Sequence, residues 1–222
     1  MLRGGVLMSA LCKGARPPAD VDFAIEGVFD EHALSTCVRE IVALDDEQTV
    51  LQVDEIFEIW PGTPFPGLRA LLSGRSARGD ARMQVDLGFG DPHAVPPRDV
   101  NVPGVGMVLS CAPETLFGWK LHGLVEHGRG RWRAKDLFDL HLLLTIPLDP
   151  EALGRAVELA FSSRDLPLAA LDDFLDRESW GVSHSGERKW RTLQKRHSAT
   201  PPFLDAREPV KRRVAALLRS KA

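Results

Sequence analysis

The sequence predicts an α+β chain in which a sheet-containing half precedes an all-helical half. Three observations carry this expectation. Apolar and polar residues alternate with period two around 21–25 and 83–89, as in half-buried strands. After Ala112, apolar residues recur instead at spacings of three and four, as on one face of a helix. Between the two patterns, 90–106 is rich in proline and glycine and reads as an irregular crossing segment. The boundary falls near 107–113, dividing the chain into an α/β unit, 1–112, with a mixed sheet, and a helical unit, 113–222, with a basic C-terminal tail.

Element by element, Gly4-Gly5 precedes a short apolar helix over 6–12, which Pro17-Pro18 ends. Val21, Phe23 and Ile25 form the core side of a strand, with Asp20 and Asp22 on its other side. Asp30 is placed to cap a helix running to about Leu44, with Leu34, Val38, Ile41 and Val42 on one face. Strands follow over 49–60 and 67–73, then a turn or loop over 74–79, then the strand holding Asp86. In the second half, Pro113-Glu114 suits a first helical turn, and Phe117, Leu121, Leu124 and Val125 make an amphipathic stripe. Further helices are expected over 134–145, 150–161, 168–177, 186–196 and 206–220.

Composition excludes several classes. The 222 residues carry 28 Lys and Arg against 31 Asp and Glu, a formal net charge of −3, too balanced for a uniformly basic nucleic-acid binder or an acidic disordered chain. The total conceals a split. Residues 183–222 carry 11 basic and 3 acidic groups, a balance of +8, leaving −11 on residues 1–182. No apolar run approaches the roughly 18 residues of a membrane helix. Gly4-Gly5 and Lys13 interrupt any signal-peptide core, so the expectation is a cytoplasmic protein with no membrane partner. Cys12, Cys37 and Cys111 form no CxxC pair, and the histidines show no metal-site spacing.

Asp20 and Asp22 lie two apart on one strand, so both leave the same face. Asp86 has the same phase on its own strand. Should the two strands be neighbours, three carboxylates converge, and such a cluster repels itself unless a cation neutralises it. Hard divalent ions take such oxygen ligands and leave room for water and phosphates. The competing reading, commoner for an isolated Asp-x-Asp, is a solvated polar sheet face. Gly4, Gly5 and Arg16 favour the phosphate reading, since free backbone N–H groups at a helix start cradle anions. Lys120, with Glu114, Asp136 and Asp139, makes a second cluster on the helices. Taken singly, these suit a surface lysine and helix-face acids. In the tail, Trp190 among Arg188, Lys189, Arg191, Lys195 and Arg196 is either a base-stacking ring or a core anchor.

The order of these motifs resembles the AbiEii/AbiGii toxin family of nucleotidyltransferases. Arg3-Gly4-Gly5-Val6-Leu7, Arg16-Pro17 and Asp20-Val21-Asp22-Phe23 resemble its opening motif. Val85-Asp86-Leu87 stands where its third carboxylate strand would be. Pro113-Glu114-Thr115-Leu116 with Lys120-Leu121 is similar to its helical lysine motif, and Lys135-Asp136-Leu137-Phe138-Asp139 to the Asp-x-x-Asp motif that follows. Ala160 to Arg164 and the Trp190-Arg191 segment match its tail less specifically. Four motifs in order make a strong signal where one would be weak.

The resemblance implies a polymerase-β-like nucleotidyltransferase domain followed by a helical domain. It implies the toxin component of a toxin–antitoxin or phage-defence system, with a cognate antitoxin as partner, transferring a nucleoside monophosphate from a nucleoside triphosphate to an acceptor such as tRNA. In that reading Asp20, Asp22 and Asp86 ligate Mg²⁺ or Mn²⁺, Gly4, Gly5 and Arg16 serve the nucleotide phosphates, Lys120 contacts the triphosphate, and Asp136 completes the site. Lys189, Arg191 and Lys195 are the candidates for acceptor binding. The alternative is a catalytically degenerate protein of the same fold that only binds nucleotide or antitoxin. It rests on Gly5, which stands where the family has a small hydroxyl residue, and on the start of the chain at the Gly-Gly motif. A third reading, a nuclease using the same carboxylates, predicts RNA shortening.

Overall fold

The computed structural model of the chain describes residues 1–44, 49–77, 79–128 and 131–219. Two compact units emerge. One comprises Met1–Leu7, Pro17–Asp91 and Asp99–Ser110; the other comprises Met8–Arg16, Pro92–Arg98 and Cys111–Ala222. Among the described residues no helix is long and apolar enough to cross a membrane.

The first unit is built on seven strands: β1 (Leu2–Arg3), β2 (Val21–Ile25), β3 (Thr49–Ile59), β4 (Gly67–Ser76), β5 (Gly79–Phe89), β6 (Arg98–Val102) and β7 (Gly106–Ser110). They form one mixed sheet in the order β3-β4-β5-β2-β1-β7-β6. β2 runs parallel to β5 and β1 parallel to β7, while β3-β4, β4-β5 and β1-β2 are antiparallel. Helix α1 (Gly4–Leu11) follows β1 directly, with Leu7 and Met8 fully buried. Helix α2 (Glu31–Val42) is capped as its sequence requires, the Asp30 carboxylate accepting from Ala33 N–H at 3.0 Å. Its residues Leu34, Val38 and Val42 meet Leu68, Ala70, Leu72, Val85 and Leu87. That face of the sheet is the core of the unit, so the alternate residues Arg69 and Asp86 stand on the opposite face.

Two expectations change here. The turn or loop expected over 74–79 is narrower: β4 continues to Ser76 and β5 starts at Gly79, with Ser76 opposite Gly79 and Gly74 opposite Ala81. Arg78 lies outside the described residues. The segment 90–106 is not wholly irregular, since β6 occupies its end and β7 follows at once. Pro96-Pro97 and Pro103 flank β6 rather than interrupt it, as proline in a sheet must. Within β2, Ala24 is the fully buried residue, and Val21, Phe23 and Ile25 are half-buried.

The second unit holds α3 (Pro113–Val125), α4 (Ala134–Leu143), α5 (Pro150–Ser162), a 3-10 turn (Leu168–Leu171), α6 (Asp172–Asp176), α7 (His184–Arg196) and α8 (Phe203–Arg219). The single helix expected over 168–177 is thus a turn followed by a short helix. Helix α3 is buried on every side, Trp119 alone being half-exposed, rather than amphipathic. A Cβ on Gly118 would lie 2.6 Å from the Ala156 carbonyl oxygen, so only glycine lets α3 and α5 approach this closely. Trp132, Trp180, Trp190, Phe174 and Phe203 form an aromatic cluster with ring centroids 4.9–6.5 Å apart. Trp190 is therefore a core anchor; its indole N–H donates to the Pro201 carbonyl at 3.0 Å.

Candidate functional site

Parallel pairing of β2 and β5 sets Asp22 directly beside Asp86, with Asp20 one residue before β2. One carboxylate oxygen from each of Asp20, Asp22 and Asp86 can be chosen so that all three lie within 4.8 Å of one another. Asp86 is buried, and Asp20 and Asp22 are half-buried. Three carboxylates, with no nitrogen or sulfur donor among them, suit a hard divalent cation, so this donor set fits Mg²⁺ or Mn²⁺.

Two further residues belong to the cluster. Arg69 is the cross-strand partner of Asp86 between β4 and β5. Its Nε donates to Asp86 Oδ1 at 2.8 Å and its Nη2 to Oδ2 at 2.7 Å. Gln84 donates through Nε2 to the same two oxygens, at 3.2 Å each. The Asp86 hydrogen bond raises the Arg69 pKa above its ordinary value, against the opposing effect of burial, and Asp86, Asp20 and Asp22 add electrostatic support. Sequence reasoning missed both residues. Gln84 was findable, since it lies two before Asp86 on the same strand face; Arg69 needed the register.

Gly4 explains the glycine pair. Its φ is +69°, and a Cβ there would lie 1.9 Å from Asp22 Oδ2. The backbone thus passes against the carboxylate where no side chain fits. Gly4 and Gly5 also open α1, whose own first turn carries no acidic residue and whose positive end lies against the Asp22 carboxylate. Gly4→Ala is expected to displace Asp22 and to cost about 1–2 kcal/mol for the left-handed backbone alone. Nucleotidyl transfer should fall far more than that loss of stability accounts for. Equal stability and activity in the variant, measured by urea unfolding and a transfer assay, would contradict this.

The second cluster lies within the helical unit. Lys120 is buried, and its Nζ donates to Asp139 Oδ2 at 2.6 Å and lies 3.6 Å from Asp136 Oδ1. Burial opposes its charge, but Asp139 and Asp136 outweigh that and hold the amine's pKa above 10.5. Arg16 reaches the same Asp139 Oδ2 at 3.4 Å, and Arg133 Nε lies 3.1 Å from Asp136 Oδ2. Asp139 is wholly buried, and its Oδ1 has no hydrogen-bond partner among the described residues. Beside it, burial and then Asp139 push the Cys12 thiol up to about 11. Lys120 is therefore no surface lysine, and Asp139 holds it more closely than Asp136 does.

Of the tail residues, Lys189 donates to the Trp132 carbonyl at 3.1 Å and stands 5.7 Å from that ring's centroid. It lines a cavity of about 490 Å³ with Arg131, Trp132, Arg133, Lys135 and Arg188. Partial burial and then the neighbouring Arg188 lower its pKa. Arg191 is exposed and ion-paired with Glu187 at 2.6 Å, and Lys195 is exposed in the last turn of α7.

No curated protein matches this chain. Solved structures share its fold, two of them from Helicobacter pylori. The crystal structure of JHP933 from Helicobacter pylori has 16% identity and a TM-score of 0.52, covering 100% of this chain and 86% of that one. The crystal structure of a protein described as a candidate nucleotidyltransferase from H. pylori has 16% identity and a TM-score of 0.52, covering 100% of this chain and 89% of that one. The family described as "Nucleotidyl transferase AbiEii toxin, Type IV TA system" matches residues 1–215. With the match spanning nearly its whole length, the chain belongs to the AbiEii family of nucleotidyltransferase toxins of type IV toxin–antitoxin systems.

Proposed function

We propose that this chain transfers a nucleoside monophosphate from a nucleoside triphosphate to the hydroxyl of an RNA end, tRNA being the leading acceptor, as the toxin of a toxin–antitoxin or phage-defence pair in the cytoplasm. The observation that carries the reading is the carboxylate triad, in which Asp20, Asp22 and Asp86 offer oxygens within 4.8 Å of one another. Mg²⁺ or Mn²⁺, when held by these three, supplies neutralisation of phosphate charge and polarisation of the reacting oxygens.

The chain's own residues do the rest by binding and orientation. The acceptor oxygen bonds to the α-phosphorus, the bond from that phosphorus to the bridging oxygen breaks, pyrophosphate leaves, and the hydroxyl proton passes to solvent. The backbone N–H groups of Gly4 and Gly5 at the start of α1 suit the phosphates. Lys120 is the charged amine for the triphosphate, and Asp136 and Asp139 keep it charged and oriented. Arg16 acts through Asp139, its partner in the helical unit.

The cationic cavity at Arg131, Arg133, Arg188 and Lys189 is the proposed seat for the acceptor's phosphates, with the indole of Trp132 as its apolar wall. This moves acceptor binding toward the start of α4 and leaves Arg191 and Lys195 peripheral.

The test is incubation of the purified chain with tRNA, Mg²⁺ and each α-labelled nucleoside triphosphate in turn, with Asp20→Ala as control. Label should enter RNA for one nucleotide and not for the control. Paired charge reversals, Arg188→Glu with Lys189→Glu, should weaken RNA binding and flatten its salt dependence. Label in neither RNA nor protein, or equal transfer by Asp20→Ala, refutes the reading. Nucleotide binding without turnover would favour the degenerate binding protein instead.

A further inference from the structure

Arg69 engages both oxygens of Asp86. A carboxylate offers about four lone-pair positions. The two Arg69 bonds, at 2.8 and 2.7 Å, and the two Gln84 bonds, at 3.2 Å each, together account for them. Asp86 thus offers both oxygens to protein donors, with which a metal ion must compete. The guanidinium also stands in the combined field of Asp20 and Asp22, so one side chain offsets one of the cluster's three negative charges.

The two partners differ in freedom. The Asp86 side chain is 5% exposed and that of Arg69 30% exposed. Asp86 is fixed on a strand between β2 and β4, whereas the Arg69 head borders solvent and can move into water at small desolvation cost. A long, flexible cation is the member of the pair that can leave.

We propose that Arg69 is the resident counter-ion of the carboxylate triad, and that a divalent cation loads by displacing its guanidinium from Asp86, so that Arg69 sets the cation affinity of the site. This rests on the reading of the triad as the metal site. It differs from a purely structural cross-strand ion pair in one respect: the guanidinium and the metal compete for the same carboxylate.

The experiment is calorimetric titration of the full chain with Mn²⁺ alone, for wild type, Arg69→Gln, Arg69→Lys and Asp22→Asn, with thermal unfolding of each with and without Mn²⁺. Arg69→Gln should bind Mn²⁺ on the order of ten-fold more tightly, because a charge-assisted competitor is gone. Arg69→Lys, which keeps the charge but loses the two-pronged geometry, should fall between. Arg69→Gln should also unfold at a lower temperature without Mn²⁺, and Mn²⁺ should raise its unfolding temperature more than that of wild type. Unchanged or weaker Mn²⁺ affinity in Arg69→Gln, with binding still lost in Asp22→Asn, overturns the displacement and leaves the metal site standing. No Mn²⁺ binding in either wild type or Arg69→Gln overturns both.

Discussion

Asp22→Asn is expected to lower nucleotidyl transfer by more than about 100-fold while leaving the protein folded and at least as stable as wild type. The activity estimate follows from metal sites in general, where loss of a supporting partner alone costs about 10–100-fold and loss of a direct ligand costs more. The stability estimate follows from charge. Three carboxylates within 4.8 Å repel one another, and Arg69 donates to both oxygens of Asp86. Removing one negative charge relieves the repulsion and leaves the Arg69–Asp86 bonds intact. A residue whose loss abolishes activity without lowering stability is held for function at the expense of the fold. Urea unfolding and the labelled-nucleotide assay on one preparation measure both. Retained transfer, or a large loss of stability, would show Asp22 to be a structural residue.

Lys120→Met should lose transfer and also stability, the latter by about 3–5 kcal/mol, the usual cost of leaving a buried charge without its partner. The side chain of Asp139 is 0% exposed, and Arg16, at 3.4 Å, is too far to replace the 2.6 Å bond from Lys120. The double variant Lys120→Met with Asp139→Leu should recover most of that loss, since an apolar pair can replace a buried ion pair at little cost. The pH dependence follows from the raised Lys120 pKa. The contribution is fully present below 10.5, the ordinary lysine value, and is lost only as pH rises through the higher folded-state value. Wild type should therefore lose stability relative to Lys120→Met in strongly alkaline solution and not near neutrality. A loss under about 1 kcal/mol in Lys120→Met would place the amine in a more solvated setting than its burial implies.

The two clusters differ in how far the sequence reveals them, and the difference is physical. Asp20, Asp22 and Asp86 were legible because side chains on a strand alternate with period two, so phase alone assigns each carboxylate to a face. Their convergence needed β2 and β5 to be neighbours, which periodicity does not encode. Arg69 was hidden by register. Its place opposite Asp86 depends on β4 and β5 pairing as far as Ser76 and Gly79, a stretch whose glycines suggested a loop. β6 and β7 were hidden for a related reason: prolines beside strands look, in sequence, like prolines that break them. Lys120 suggested the surface because charge usually does, but all of α3 except Trp119 is buried, and its acidic partners come from another helix. Trp190 shows the limit of composition. Its cationic neighbours suggested base stacking, and its ring lies instead within an aromatic cluster that holds the helices together.

The most direct test of the central claim, that the carboxylate triad holds the catalytic cation, is anomalous diffraction from crystals grown with Mn²⁺ and a non-hydrolysable nucleoside triphosphate. The prediction is a manganese peak bounded by oxygens of Asp20, Asp22 and Asp86, with the Arg69 guanidinium withdrawn from Asp86. Saturating Mn²⁺ and nucleotide with no peak among these three carboxylates would contradict it.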